Sequence, residues 1–167
     1  DMVNAPSQDQ FDNSEFVFYD RIVNIESDGE QRKPAVAMDS DGNFVVAWED
    51  DKDKKGLYQI YARGFYRGGC SRFFITVNST STGQQLKPAV AMDSDGNFVV
   101  AWEDDRDRNG YFQIFIRGFN ADGSERFHDR VVNSAAKGQQ LKPAIAMNSD
   151  GDFVVAWEED KDGNGKY

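Results

Sequence analysis

The residues best suited to chemistry are acidic and sit in loops. Asp105-x-Asp107-x-Asn109-Gly110, and again Asp160-x-Asp162-x-Asn164-Gly165, place hard oxygen ligands at positions 1, 3 and 5 with glycine at 6. That is the first half of a calcium-binding loop, and Ca2+ is the cofactor that Asp105, Asp107, Asn109, Asp160, Asp162 and Asn164 would hold. The second half is missing. Position 12 counted from Asp105 is Ile116, where a bidentate glutamate belongs, and in the earlier copy of the loop Lys55 stands at position 5. Interleaved Lys and Arg also reduce the local negative field, so the competing reading is a solvated hairpin loop laced with salt bridges.

Other carboxylates come in adjacent pairs: Glu49/Asp50, Glu103/Asp104 and Glu158/Glu159. Glycoside hydrolysis needs two acids flanking a sugar bond, but a catalytic site is asymmetric and these pairs recur alike. Glu49 with Arg63, and Glu103 with Arg117, read instead as cross-strand charge partners. The turns Asp39 to Asn43, Asp93 to Asn97 and Asn148 to Asp152 resemble the aspartate-box hairpins of sialidases, although Asp-Gly is first of all hairpin chemistry. His128, the single histidine, aligns with the aromatic slot of Tyr19 and Phe73, and no nucleophile stands in a triad setting beside it. Cys70, the only cysteine, aligns with Ser124 in a glycine-rich turn and reads as an incidental small residue. Trp48, Trp102 and Trp157 have two readings, core packing or a stacking platform for sugars.

What positions these groups is a repeat. Pro34 to Asp51 (PAVAMDSDGNFVVAWEDD) recurs letter for letter from Pro88 to Asp105 and, slightly altered, from Pro143 to Asp160. The tryptophans mark a period of 54 and then 55 residues, and such self-similarity means copies of one supersecondary unit. Within a unit, the proline opens a short strand (Ala35 to Met38) and an Asp-Ser-Asp-Gly-Asn turn leads into Phe44 to Trp48. A charged loop then precedes a third strand, Tyr58 to Phe65, and a Gly-rich turn a fourth, Phe73 to Asn78. Phe44, Val46 and Trp48 share one face and Val45 and Ala47 the other, so the second strand is to be covered on both sides.

These signals predict an all-β fold: a β-propeller-like array of four-stranded antiparallel blades, with a β-trefoil as the alternative. The small Ala35/Ala37 face favours the propeller, because crowded inner strands must approach closely. Residues 1–12 form an N-terminal extension and 13–167 a single repeat domain, with units near 34–87, 88–142 and 143–167 and an N-terminal strand at 16–24.

A net charge of −10 argues against nucleic acid, whose phosphates demand clustered Lys and Arg. No run approaches the roughly 18 apolar residues of a membrane helix, so no membrane span is expected, and no basic-then-apolar start resembles a signal peptide.

The third unit stops after its hairpin, while Phe16 to Asn24 matches a fourth strand with no hairpin before it. Three hairpins are fewer than the ~4–8 blades of a propeller. The open edge therefore predicts a homo-oligomer or polymer formed by strand complementation, or a longer array.

The repeat, in its form Pro88 to Trp102 followed by Gln113 to Gly123, also resembles a repeat family of large secreted and cell-surface bacterial proteins. The resemblance implies an extracellular or cell-surface setting and a propeller-like architecture, with no catalytic residues to carry over. The expected function is a non-enzymatic structural or adhesive module. The alternatives are a multivalent lectin that binds glycans, with avidity summed over units, and a sialidase-like glycoside hydrolase.

Overall fold

The computed structural model describes residues 4–8, 18–25, 28–134 and 137–165. It is all-β. Twelve strands are described: β1 (Asn4–Gln8), β2 (Phe18–Ile22), β3 (Gln31–Met38), β4 (Phe44–Asp50), β5 (Gln59–Phe65), β6 (Ser71–Thr76), β7 (Gln85–Met92), β8 (Phe98–Asp104), β9 (Gln113–Phe119), β10 (Glu125–Val131), β11 (Gln139–Met147) and β12 (Phe153–Asp160). They form open antiparallel sheets in the orders β3-β4-β5-β6 and β7-β8-β9-β10, with two-stranded sheets β1-β2 and β11-β12. Separate open sheets are not the closed barrel that the trefoil alternative requires. Among the described residues no helix is long and apolar enough to cross a membrane.

Each hairpin is locked at its turn. The Asp39 carboxylate accepts the N–H groups of Asp41 and Asn43, both at 2.9 Å, and the side-chain amide of Asn43 at 2.7 Å. Asp93 and Asn148 repeat the motif. Gly42, Gly96 and Gly151 supply the left-handed residue that these turns need, at φ +85°, +85° and +86°. The aspartates therefore act as turn locks.

The first strand of each unit starts earlier than its proline. β3, β7 and β11 begin at Gln31, Gln85 and Gln139, and each carries a register shift at the Lys-Pro pair. Lys33, Lys87 and Lys142 take φ values of +52°, +48° and +51°, a left-handed state that costs a non-glycine residue about 1–3 kcal/mol. Proline has no N–H to give the ladder, and a bulge is where a strand tolerates it. The proline thus marks a bulge inside the strand, not its start.

Neighbouring sheets stack face to face, closest along their first strands, so that β7 lies between β3 and β11. Face A of a unit carries, in unit 1, Val36, Met38, Phe44, Val46 and Trp48. Face B carries Ala35, Ala37, Val45 and Ala47. β4 and β8 are buried along their whole lengths, as two apolar faces demand.

Candidate functional site

Among the described residues, the joint between successive units recurs with both its apolar and its polar parts. Between units 1 and 2, face B (Val45, Ala47, Ile60, Ala62, with Ala35 and Ala37) meets face A (Val90, Phe98, Val100, Trp102, with Met92) in one continuous core. Face B of unit 2 (Val99, Ala101, Ile116) meets Ile145, Met147, Phe153 and Val155 of unit 3 in the same way. Alanines on one side admit Val, Met and aromatic side chains from the other. Burial of that kind is worth ~1.5–3 kcal/mol per large side chain.

Four polar contacts pin the joint between units 1 and 2, and the first three recur between units 2 and 3. Glu49, fully buried, accepts the bulge N–H of Lys87 at 2.6 Å, and Glu103 accepts that of Lys142 at 2.7 Å. The strained lysine backbone is what aims that N–H at the preceding unit. Within its own unit Glu49 is held by Arg32 at 2.6 Å and Glu103 by Lys87 Nζ at 3.1 Å. Burial pushes the Glu103 carboxyl above its ordinary value, against the pull of the Lys142 N–H and the Lys87 ammonium.

The second contact is a glutamine clamp. Gln84 donates to the Gly56 carbonyl at 2.6 Å and accepts the Tyr58 N–H at 3.1 Å, and Gln139 does the same with Gly110 and Phe112 at 2.8 and 3.0 Å. At the corresponding place in unit 1 stands Glu30, which can accept but not donate. Third, Ser94 Oγ donates to the Ser149 carbonyl at 2.9 Å, and Ser40 Oγ lies 3.4 Å from that of Ser94. Fourth, Arg117 reaches back to the Val77 carbonyl at 2.9 Å, as Arg63 does to that of Val23 at 2.8 Å.

Both ends of the stack present an open half of this joint. On face A of unit 1, Val36 and Met38 are 64 % and 62 % exposed, whereas Val90, in the identical string one unit later, is 9 % exposed. On face B of unit 3, Val154 is 70 % exposed and Ala144, Ala146 and Ala156 are exposed, whereas Val45 and Val99 are buried. Glu158 has Lys142 beside it but no N–H from a following unit among the described residues. The outer part of face A of unit 1 is closed, since Phe44, Val46, Trp48, Tyr61 and Phe65 form a core with Val23.

The loop residues proposed as calcium ligands turn their oxygens onto their own loops. Asp105 accepts the Gly110 N–H, Asp107 the Asn109 side-chain amide and Asn109 the Tyr111 N–H. Asp160 accepts the N–H groups of Asn164 and Gly165, and Asp162 the Asn164 amide. No group of three or more His, Cys, Asp or Glu side chains converges among the described residues. As placed, all six form hydrogen bonds within their own loops.

Trp48 and Trp102 are fully buried, their indoles donating to Asp50 and Asp104 at 3.1 and 2.8 Å. They are core, which removes them as a sugar platform. Glu49 faces Ile60 across the ladder and pairs with Arg32, so the expected partnership with Arg63 does not form; Arg63 stands opposite Val46. His128 does not fill the aromatic slot. β10 carries an irregularity between Phe127 and Arg130, Phe127 takes the slot over Gly118 as Phe73 does over Gly64, and His128 stays exposed beside Glu125. That extra residue lengthens the second period to 55. Cys70 is exposed in the β5–β6 turn.

The same bulge turns Asp129 inward, where it accepts the Ser79 N–H and hydroxyl and meets Arg106 at 3.0 Å. Burial there works to raise its carboxyl, but the Ser79 and Arg106 hydrogen bonds prevail and hold it below the ordinary value. Sequence reasoning missed Asp129 and the clasp of glutamate on lysine N–H. The clasp had a signal, a Lys-Pro pair and a Glu kept at fixed spacing in every unit. When compared with known proteins, the chain matches no family model and no curated protein.

Proposed function

We propose that this chain is a non-enzymatic, extracellular structural or adhesive module of propeller-like build whose business is to hold onto like units. The observation that carries the reading is the joint itself: its parts occur three times, and it is closed twice between successive units. A surface already used twice to bind a unit of this sequence is complementary to a third such unit, because the side chains are nearly the same.

The acidic pairs support this reading over a hydrolase. Glu49 and Glu103 are engaged in joints, and the turn aspartates cap their own backbones. The extracellular placement rests on the likeness of the repeat to secreted and cell-surface repeats. Immobilised chain should retain soluble chain, and light scattering should grow with concentration. If soluble copies never bind immobilised ones, the proposal fails, and equal occupancy of every unit by a sugar on a glycan array would put the lectin in its place.

A further inference from the structure

We propose that Asn109-Gly110 is a self-modifying site, whose loop is built to expel the Asn109 side-chain amide as ammonia and to convert that residue to aspartate and isoaspartate. Asn164-Gly165 is a second copy of the site. The modification needs no other copy of the chain and so stands apart from the self-associating role proposed above.

The reacting atoms are neighbours along the backbone. The Gly110 nitrogen attacks Asn109 Cγ, the new N–Cγ bond closes a succinimide ring and the Cγ–Nδ2 bond breaks. The proton of the Gly110 N–H passes to the leaving nitrogen, which departs as ammonia. Water is the one co-reactant, and it opens the ring at either carbonyl. Opening at Cγ gives aspartate, and opening at the backbone carbonyl gives isoaspartate, with a methylene added to the main chain. Glycine, lacking a Cβ, leaves its nitrogen unhindered. A methyl built on Gly110 or Gly165 would meet nothing within 4 Å, and both pairs lie in exposed loops. They are the two Asn-Gly pairs of the sequence, and they occupy the same place in the repeat.

The surroundings supply the chemistry. The Asp105 carboxylate accepts the Gly110 N–H at 3.2 Å, which is the proton that must leave and so the place of a general base. The Tyr111 N–H donates to Asn109 Oδ1 at 2.7 Å, where negative charge develops as Cγ becomes tetrahedral. Asp107 holds the leaving Nδ2 at 2.7 Å and fixes the orientation of the amide. In unit 3, Asp160 accepts the Gly165 N–H at 2.8 Å and Asp162 holds Asn164 Nδ2 at 2.7 Å. Unit 1 is the internal control. Asp51 accepts the Gly56 N–H at 3.1 and 3.0 Å through its two oxygens, but Lys55 stands in the asparagine's place and has no amide to expel.

The product reaches a joint. The Gly110 carbonyl accepts Gln139 Nε2 at 2.8 Å, and Gln139 in turn accepts the Phe112 N–H at 3.0 Å. Isoaspartate lengthens the backbone one residue before that carbonyl and moves it off the clamp. The equivalent clamp between units 1 and 2, Gln84 on Gly56, follows Lys55 and is spared. Ageing of the loop therefore loosens the joint between units 2 and 3 and leaves the other intact.

The test incubates the full chain at neutral pH and maps its peptides by mass spectrometry, with enzymatic methyl labelling to read isoaspartate. Peptides holding Asn109 and Asn164 should gain the mass of an amide-to-acid exchange. Asn109→Lys, the residue that unit 1 already carries there, keeps the fold and should abolish the change at that loop alone. Asp105→Asn still offers an oxygen to the Gly110 N–H but takes no proton, so it should slow Asn109 by about tenfold or more while Asn164 keeps its rate. Conversion no faster in the folded chain than in urea, or indifferent to Asp105→Asn, overturns the built site. In aged protein, hydrogen exchange followed by NMR should rise at the Phe112 N–H and not at that of Tyr58, which Gln84 holds. Equal protection of both overturns the link to the joint. Retention of soluble chain on immobilised chain is read separately, so neither failure is mistaken for failure of self-association.

Discussion

The three equivalent glutamates offer one perturbation in three environments. Glu103→Ala removes an ionised acceptor from the Lys142 N–H, an amide fixed in place by a strained backbone. A hydrogen bond to a charged group contributes about 1.5–3 kcal/mol. Lys87 Nζ, whose side chain is 40 % exposed, is resolvated when its partner goes and adds little. The expected cost of Glu103→Ala, and of Glu49→Ala by the same reasoning, is about 2–3 kcal/mol, or roughly 5–10 °C in melting temperature for a chain of this size. Glu158→Ala removes only an exposed ion pair with Lys142, so in the monomer it should cost about 0.5 kcal/mol or less. Urea unfolding of each variant, at a concentration where the parent is monomeric, reads the series. Glu103→Gln refines it, because the amide oxygen still accepts from Lys142 without the cost of a buried charge. Since the folded carboxyl titrates above the ordinary 4.5, its contribution is complete below that pH and is lost as pH rises through the raised folded value. The stability of Glu103→Gln should therefore gain on that of the parent from about pH 4.5 upward. Equal costs at Glu158 and Glu103, or a glutamine as damaging as the alanine, would refute the clasp.

Asp129 has the opposite sign. Its folded carboxyl lies below the ordinary 3.8, so its contribution is present above that pH and lost as pH falls through the lowered folded value; Asp129→Ala should cost about 2–3 kcal/mol at pH 7 and progressively less in acid. Gly118→Ala places a methyl 2.1 Å from the Phe127 ring and should cost about 1–3 kcal/mol by overpacking, partly recovered by Phe127→Leu. Calcium should leave the melting temperature unchanged, because the oxygens of Asp160 and Asp162 already hold loop N–H and amide groups. A calcium-dependent rise abolished by Asp162→Ala would support the metal reading of those loops instead.

The strands were legible because both clues to them are local. Alternation along Phe44 to Trp48 and the Asp-Gly turns need no knowledge of neighbours, and the twofold-apolar second strand announced a layer on each side. Burial was not legible in the same way. Pro34 to Asp51 and Pro88 to Asp105 are the same letters, yet Val36 is exposed and Val90 buried, because exposure depends on what stands next in the stack. The register of Glu49 was misread for a related reason. Counting along one strand pairs it with Arg63, whereas the bulge at Lys33-Pro34 brings Arg32 opposite, and the equivalent bulge at Lys87-Pro88 frees the Lys87 N–H to reach over. His128 shows that a one-residue change of period can hide in a bulge, which a linear alignment assigns to the wrong side chain.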